Sequence, residues 1–342
     1  MPIDLTISDE ERKVLSTWTE LDGDLEGCDP KYAQVALGLR LLFGRGDRSR
    51  AAYWENPEGI DLITDIDYAG DGIRAHKLDL YLPHDAVVRG GKTTPVYIDI
   101  HGGGFMYGHK ELNRNFNTHL AQKGFAVFSL NYRPAPETDF LGQLTDIEQG
   151  FAWIAAHLAD YPVDPNSVFI TGDSAGGTLG LYSVALERSE KMAKDFGIAQ
   201  AGLNLKGGAF ISGLFDLTDY MAAVETPASG EGGDPTDIVA LIAPFFFKSI
   251  HDKAIQWADL NYLVANVDLP PLFLNTSNDD FIQFSSLQLA MMLSQNGKDF
   301  EIHDRHTKRG ESLGHVYPVG MSWLEESQET LQQIKGFSYN LI

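Results

Sequence analysis

Short apolar, β-branched runs recur along the chain at 78–82, 96–100, 126–130, 168–171, 208–211 and 272–275, each bounded by polar or turn-forming residues. Each predicts a strand, and a further one is expected over 300–306. Between most of them the apolar positions change period. Across 139–161 the residues Phe140, Leu144, Ile147, Phe151, Ile154 and Leu158 step by three or four, which puts one apolar stripe on a helix. Further helices are expected over 174–187 and 284–295, the latter stopped by Gly297. Strands alternating with helices predict an α/β fold with a mostly parallel central sheet covered on both faces.

Two segments break the rhythm. In the first 50 residues, Ser8 to Glu11 form a capping box, and Val14, Leu15, Trp18 and Leu21 share one helical face, predicting a helix before the sheet begins. Residues 214–268 hold a loop-like SGEGGDP stretch around Ser229 to Pro235 and then a strongly apolar run over 238–247. Both are expected to cap one edge of a core formed by 51–213 and 269–342.

Composition narrows the setting. The chain has 342 residues, 26 basic against 48 acidic side chains, a formal net charge of −22 and a single cysteine, Cys28. A chain this acidic repels nucleic acid and anionic lipid, so neither is expected as a partner. One cysteine gives no internal disulfide, no apolar run reaches the roughly 18–20 residues of a membrane helix, and the first 30 residues carry no secretory pattern. The expected location is cytoplasmic. The histidines lack metal-ligand spacing, and Gly102 to Gly104 lack the lysine of a phosphate loop, so no metal or cofactor is expected.

Chemistry concentrates in two glycine-rich turns. Gly172-Asp173-Ser174-Ala175-Gly176-Gly177 follows one predicted strand directly and opens a predicted helix. A serine in that turn is forced into a strained conformation that projects its hydroxyl, and only small residues fit beside it. Asp173 is expected to hold the turn rather than react. His101-Gly102-Gly103-Gly104-Phe105 ends an earlier strand. Backbone N–H groups of Gly102, Gly103 and Gly104, with that of Ala175 at the helix start, would stabilise negative charge developing on a carbonyl oxygen.

These turns, with Asn131-Tyr132-Arg133-Pro134-Ala135-Pro136-Glu137 between them, resemble the hormone-sensitive-lipase-like (family IV) esterases of the α/β-hydrolase superfamily. The resemblance runs from about Val96 to the C-terminus. It implies an α/β-hydrolase fold with a helical cap, a serine carboxylesterase working through an acyl-enzyme, and a homodimer. Aligning the family's D-x-L with Asp280-Phe281-Ile282 selects Asp280 as the acid, with Asp279 as competitor. Among the late histidines, His303 and His306 lie in a polar strand, whereas His315-Val316-Tyr317 resembles the family's H-G-F, so His315 is the expected base. A histidine base must be neutral to accept a proton, so acid pH should inhibit.

The substrate is read from the surroundings. Phe105 and Met106 beside the glycine loop, and Phe245 and Phe246 in the apolar run, are expected to bind the acyl chain, with a preference for short ones. The 214–268 segment carries nine carboxylates against Lys248 and Lys253, which disfavours anionic substrates. Two other readings share these features: a carbohydrate esterase removing acetyl-type groups, and a non-catalytic small-ligand receptor on the same fold.

Overall fold

A computed structural model describes residues 8–10, 23–226, 238–308 and 311–342. Among them, eight strands form one sheet: β1 (Ile60–Asp67), β2 (Lys77–Pro83), β3 (Thr94–Ile100), β4 (Ala126–Leu130), β5 (Val163–Asp173), β6 (Leu205–Ile211), β7 (Leu272–Ser277) and β8 (Phe300–Arg305), in the order β1-β2-β4-β3-β5-β6-β7-β8. β2 runs antiparallel to both β1 and β4, and all later neighbours are parallel. The seven strands expected from the sequence are present. β1 is the addition: IDLITDID sits at the sheet edge with no fully buried residue, so it lacks the apolar run that marks the others.

The principal helices are α1 (Pro30–Ala51), α2 (Arg114–Gln122), α3 (Phe140–His157), α4 (Ala175–Arg188), α5 (Ile238–Phe246), α6 (Gln283–Gln295) and α7 (Glu325–Tyr339). The strand period of two divides the core. Val96, Ile98 and Ile100 of β3, with Ile170 and Leu274, face a cluster shared with α3, α4 and α6. Tyr97, Phe169 and Phe273, one residue along, face the cluster of α2 and α7. Helices on both faces therefore hold the carboxyl ends of the parallel strands along one edge, where Ile100, Asp173, Ile211 and Ser277 end their strands.

The capping-box helix read over Ser8 to Leu21 and the SGEGGDP loop lie almost entirely outside the described residues. The described part of the first 50 residues is dominated by α1. Asp29 caps it by accepting from Lys31 N–H at 2.8 Å, and Pro30 occupies its first position. Its interior glycines and arginines dilute any apolar stripe, which left it unassigned in the sequence. α1 is tied to α5 by the Tyr32 and Phe245 rings, 5.4 Å apart.

Candidate active site

Ser174 sits between β5 and α4 with φ 51° and ψ −120°. A non-glycine residue there costs on the order of 1–3 kcal/mol, so its surroundings must impose it. They do so by crowding. A methyl group on Gly176 would meet Ile100 O at 2.0 Å and one on Gly172 would meet Gly176 O at 2.4 Å, so the turn closes only with glycine at both positions. Ser174 N–H donates to Ile211 O at 2.9 Å, fixing the turn to the neighbouring strand.

His315 and Asp280 arrive from separate loops. Asp280 follows the end of β7, and His315 follows β8. Ser174 Oγ–H donates to His315 Nε2 at 2.9 Å, and His315 Nδ1–H donates to Asp280 Oδ1 at 2.9 Å. Asp280 also accepts from Thr276 Oγ1–H at 3.2 Å and Ile282 N–H at 3.1 Å. Burial pushes this carboxyl up, but the hydrogen bond and charge of His315 outweigh it and hold Asp280 below the usual range. The Phe281 ring, 73% exposed, lies 4.5 Å from the imidazole.

The other late histidines are elsewhere. His303 stacks on Phe273 and His306 lies beside Asp304 at the surface. Asp279, adjacent to Asp280, points away from the imidazole and accepts from Gly314 N–H at 2.9 Å, Leu313 N–H at 3.0 Å and Ser312 Oγ–H at 2.7 Å.

The glycine loop is built in detail. Tyr132 Oη–H donates to His101 O at 2.8 Å and its ring stacks on the imidazole at 4.4 Å. Burial holds the His101 ring far down, to about 3, so it stays neutral and donates Nδ1–H to Gly102 O at 2.8 Å. Gly103, at φ 122°, leaves no room for a side chain: a methyl there would meet Tyr107 O at 2.0 Å. Gly104 and Phe105 are left-handed too, and Phe105 O is held by Ala135 N–H and Gln143 Nε2–H, each at 2.8 Å.

One of the expected oxyanion donors is corrected. Gly102 N–H donates to Asp173 Oδ1 at 3.0 Å, so it is already engaged inside the loop. Asp173 accepts from Asn113 Nδ2–H at 2.8 Å as well, the turn-holding part expected of it. Gly103, Gly104 and Ala175 remain as expected donors.

The acyl-wall residues are corrected more fully. A cavity of about 260 Å³ opens over Ser174 and His315, walled by Leu42, Phe43, Asp47, Arg50, Trp54 and Val319 among others. Phe105, Met106, Phe245 and Phe246 are not among its lining residues. Phe105 and Phe246 pack at 4.9 Å, tilted, within a buried aromatic cluster with Phe140 and Phe247, Phe245 packs on Tyr32, and Met106 lines a second cavity with Arg40, Arg74 and Glu137. One wall comes instead from the last turns of α1 and residues just after it, and Leu112, Phe281 and Val319 line the cavity from other elements. Trp54 is fixed there by donating Nε1–H to Gly320 O at 3.1 Å. No motif marks the α1 wall; only the packing of α1 brings it to the serine.

Among the described residues no group of three or more His, Cys, Asp or Glu is arranged to hold a metal ion, and no helix is long and apolar enough to cross a membrane.

The strand order, the serine turn after β5 and the late acid and histidine define an α/β-hydrolase fold. Within it the chain belongs to the BD-FAE family, whose model matches residues 78–290, more than half of the chain. It is 30% identical over 211 residues to the probable carboxylic ester hydrolase LipM of Mycobacterium tuberculosis, covering 56% of this chain and 48% of that protein. The chain thus spans about half the length of that curated relative. Esterase B of Lactobacillus rhamnosis superposes with a TM-score of 0.78 at 26% identity, over 90% of this chain and 95% of that one. The hyperthermophilic esterase of Pyrobaculum calidifontis shares the fold with a TM-score of 0.66 at 21% identity, over 97% of each chain. The resemblance read from the motifs holds.

Proposed function

We propose that this chain is a serine carboxylesterase acting on short-chain, neutral acyl esters through an acyl-enzyme. The observation that carries the reading is the continuous hydrogen-bonded line from Ser174 Oγ through His315 to Asp280. Ser174 attacks the ester carbonyl as His315 Nε2 takes its proton. The tetrahedral oxyanion is held by N–H groups of Gly103, Gly104 and Ala175. His315 then protonates the leaving alcohol, Asp280 keeps Nδ1 protonated and the ring oriented, and water activated by His315 releases the acid. The esterase names of LipM and Esterase B support this chemistry. The short-chain preference is supported by the size of the cavity, about 260 Å³, and by the C4–C4 tributyrin phosphonate that inhibits Esterase B.

The same reading treats 1–50 and 214–268 as a cap over a core of 51–213 and 269–342, in a cytoplasmic homodimer. The test is hydrolysis of p-nitrophenyl butyrate. Ser174→Ala and His315→Ala are each expected to lower kcat by about 10⁴-fold or more while His306→Ala leaves it unchanged. Full activity in His315→Ala, or long-chain triglycerides turned over faster than butyryl esters, overturns the reading. Ligand binding without hydrolysis by wild type favours the receptor.

A further inference from the structure

Two carboxylates stand side by side after β7 and diverge. Asp280 turns inward to the imidazole. Asp279 turns to the three residues that immediately precede His315, taking Ser312 Oγ–H, Leu313 N–H and Gly314 N–H, with Ser277 Oγ a further 2.8 Å contact. The single hydroxyl proton of Ser277 has two acceptors within reach, Asp279 Oδ1 at 2.8 Å and Gly314 O at 3.1 Å, so Ser277 stands between the carboxylate and the loop.

Such ties matter because the backbone around His315 is not self-supporting. Gly314 has φ 71° and Val316 φ 50°, and for a β-branched residue the left-handed region is a real outlier. A conformation of that kind persists only where neighbours over-determine it. On the N-terminal side of His315, the carboxylate of Asp279 gathers three of the loop's donors.

We propose that Asp279 is a positioning residue for the reaction: its carboxylate clamps residues 312–314 so that His315 Nε2 stays within hydrogen-bond reach of Ser174. Asp279 acts through the backbone and touches neither substrate nor the reacting atoms. Asp280 orients the ring about Nδ1, and Asp279 sets where the ring stands. The clamp is made of charge-assisted bonds on a solvent-exposed carboxylate, whose partial loss of hydration is outweighed by those donors, which hold its pKa below the usual range. The proposal rests on the hydrolase reading above.

The experiment compares wild type with Asp279→Ala, Asp279→Asn and Ser312→Ala in steady-state hydrolysis of p-nitrophenyl butyrate, labelling of Ser174 by a phosphonate ester, and thermal unfolding. A displacement of about 1 Å at a reacting group costs on the order of 10²-fold, so Asp279→Ala is expected to lower kcat and the labelling rate by ~10–100-fold with KM within about twofold. Asp279→Asn keeps one acceptor oxygen but sets an amide N–H against a backbone N–H, so it should fall between Asp279→Ala and wild type. Ser312→Ala, losing one bond, should show the smallest loss. Unchanged kcat in a folded Asp279→Ala overturns the proposal, as does a raised KM at constant kcat, which would make Asp279 a substrate contact. Loss of Tm without a matching loss of kcat in the folded fraction makes it a stability residue only, which also overturns it. If Asp279→Ala does not fold, Asp279→Asn and Ser312→Ala decide by the same readouts. If wild type itself neither hydrolyses the ester nor takes the label, it is the hydrolase reading that fails.

Discussion

Asp173 lies buried under the glycine loop, bonded to Gly102 N–H and Asn113 Nδ2–H, with Asp99 nearby on the same asparagine. Burial pushes its carboxyl up to about 7; the Asn113 and Gly102 donors pull it down and the Asp99 charge adds to the rise. The sign of the stability effect follows. Folded, this group holds a proton that the unfolded chain releases near an ordinary aspartate pKa, so across about pH 4–7 the native state binds more protons and its stability falls as pH rises. Asp173→Asn removes that titration. Denaturant unfolding of the variant should give a flatter stability curve between pH 5 and 7 than wild type, by up to a few kcal/mol. A parallel curve would mean that Asp173 is ionised throughout. At the next turn, Gly176→Ala places a methyl 2.0 Å from Ile100 O, backbone that cannot move aside. Soluble expression or ester hydrolysis is expected to be lost, and a folded, active variant would show that the turn is looser than its contacts indicate.

At the scale of elements, the legible parts of the chain were those where one local rule is sufficient. The serine turn could be read because a strand, a turn of small residues and a helix are contiguous in sequence. So could the six strands β2 to β7, whose apolar runs are their own signature. α1 could not, since its Leu42, Phe43 and Arg50 gain meaning only when the helix lies across the carboxyl edge of the sheet. The apolar run of α5 misled for the same reason: Phe246 and Phe247 look alike in sequence whether they line a pocket or fill a core, and here both are fully buried. Asp279 and Asp280 were separable only through a family alignment, because which of two neighbours faces the imidazole depends on the turn between them. If α1 walls the site, shortening its side chains should change acyl selection. Phe43, edge-on to Tyr107 at 5.9 Å, is the clearest position. Phe43→Ala is expected to raise the kcat/KM ratio of octanoate to butyrate esters by about tenfold, the discrimination typical of a methylene or two in an apolar pocket. An unchanged ratio would place the acyl chain against another wall.

For the whole molecule, charge is unevenly distributed: helix α1 is basic although the first 50 residues as a whole are net acidic, and 214–268 is net acidic. α1 holds Lys31, Arg40, Arg45, Arg48 and Arg50 against Asp47, while 214–268 is strongly acidic in a chain of net charge −22. Arg50 and Asp47 line the cavity, whereas no described residue of 214–268 does. The described residues of the acidic segment can therefore act on substrates through their field rather than by lining this cavity. The two effects separate by salt. A long-range field reaches about 30 Å at 0.01 M ionic strength and about 3 Å at 1 M, while contact with Arg50 inside the cavity is screened far less. Neutral esters should exceed carboxylate-bearing analogues in kcat/KM severalfold at 0.01 M, the gap narrowing to about twofold or less at 1 M. Because steering acts on encounter, kcat should change little. Arg50→Gln should widen the gap at both salt concentrations by removing the one arginine or lysine that, among the described residues, lines the cavity near Ser174. Equal rates for both substrate classes at low salt would show that the acidic field does not reach the site, and a gap insensitive to salt would assign the selectivity to contacts within the cavity.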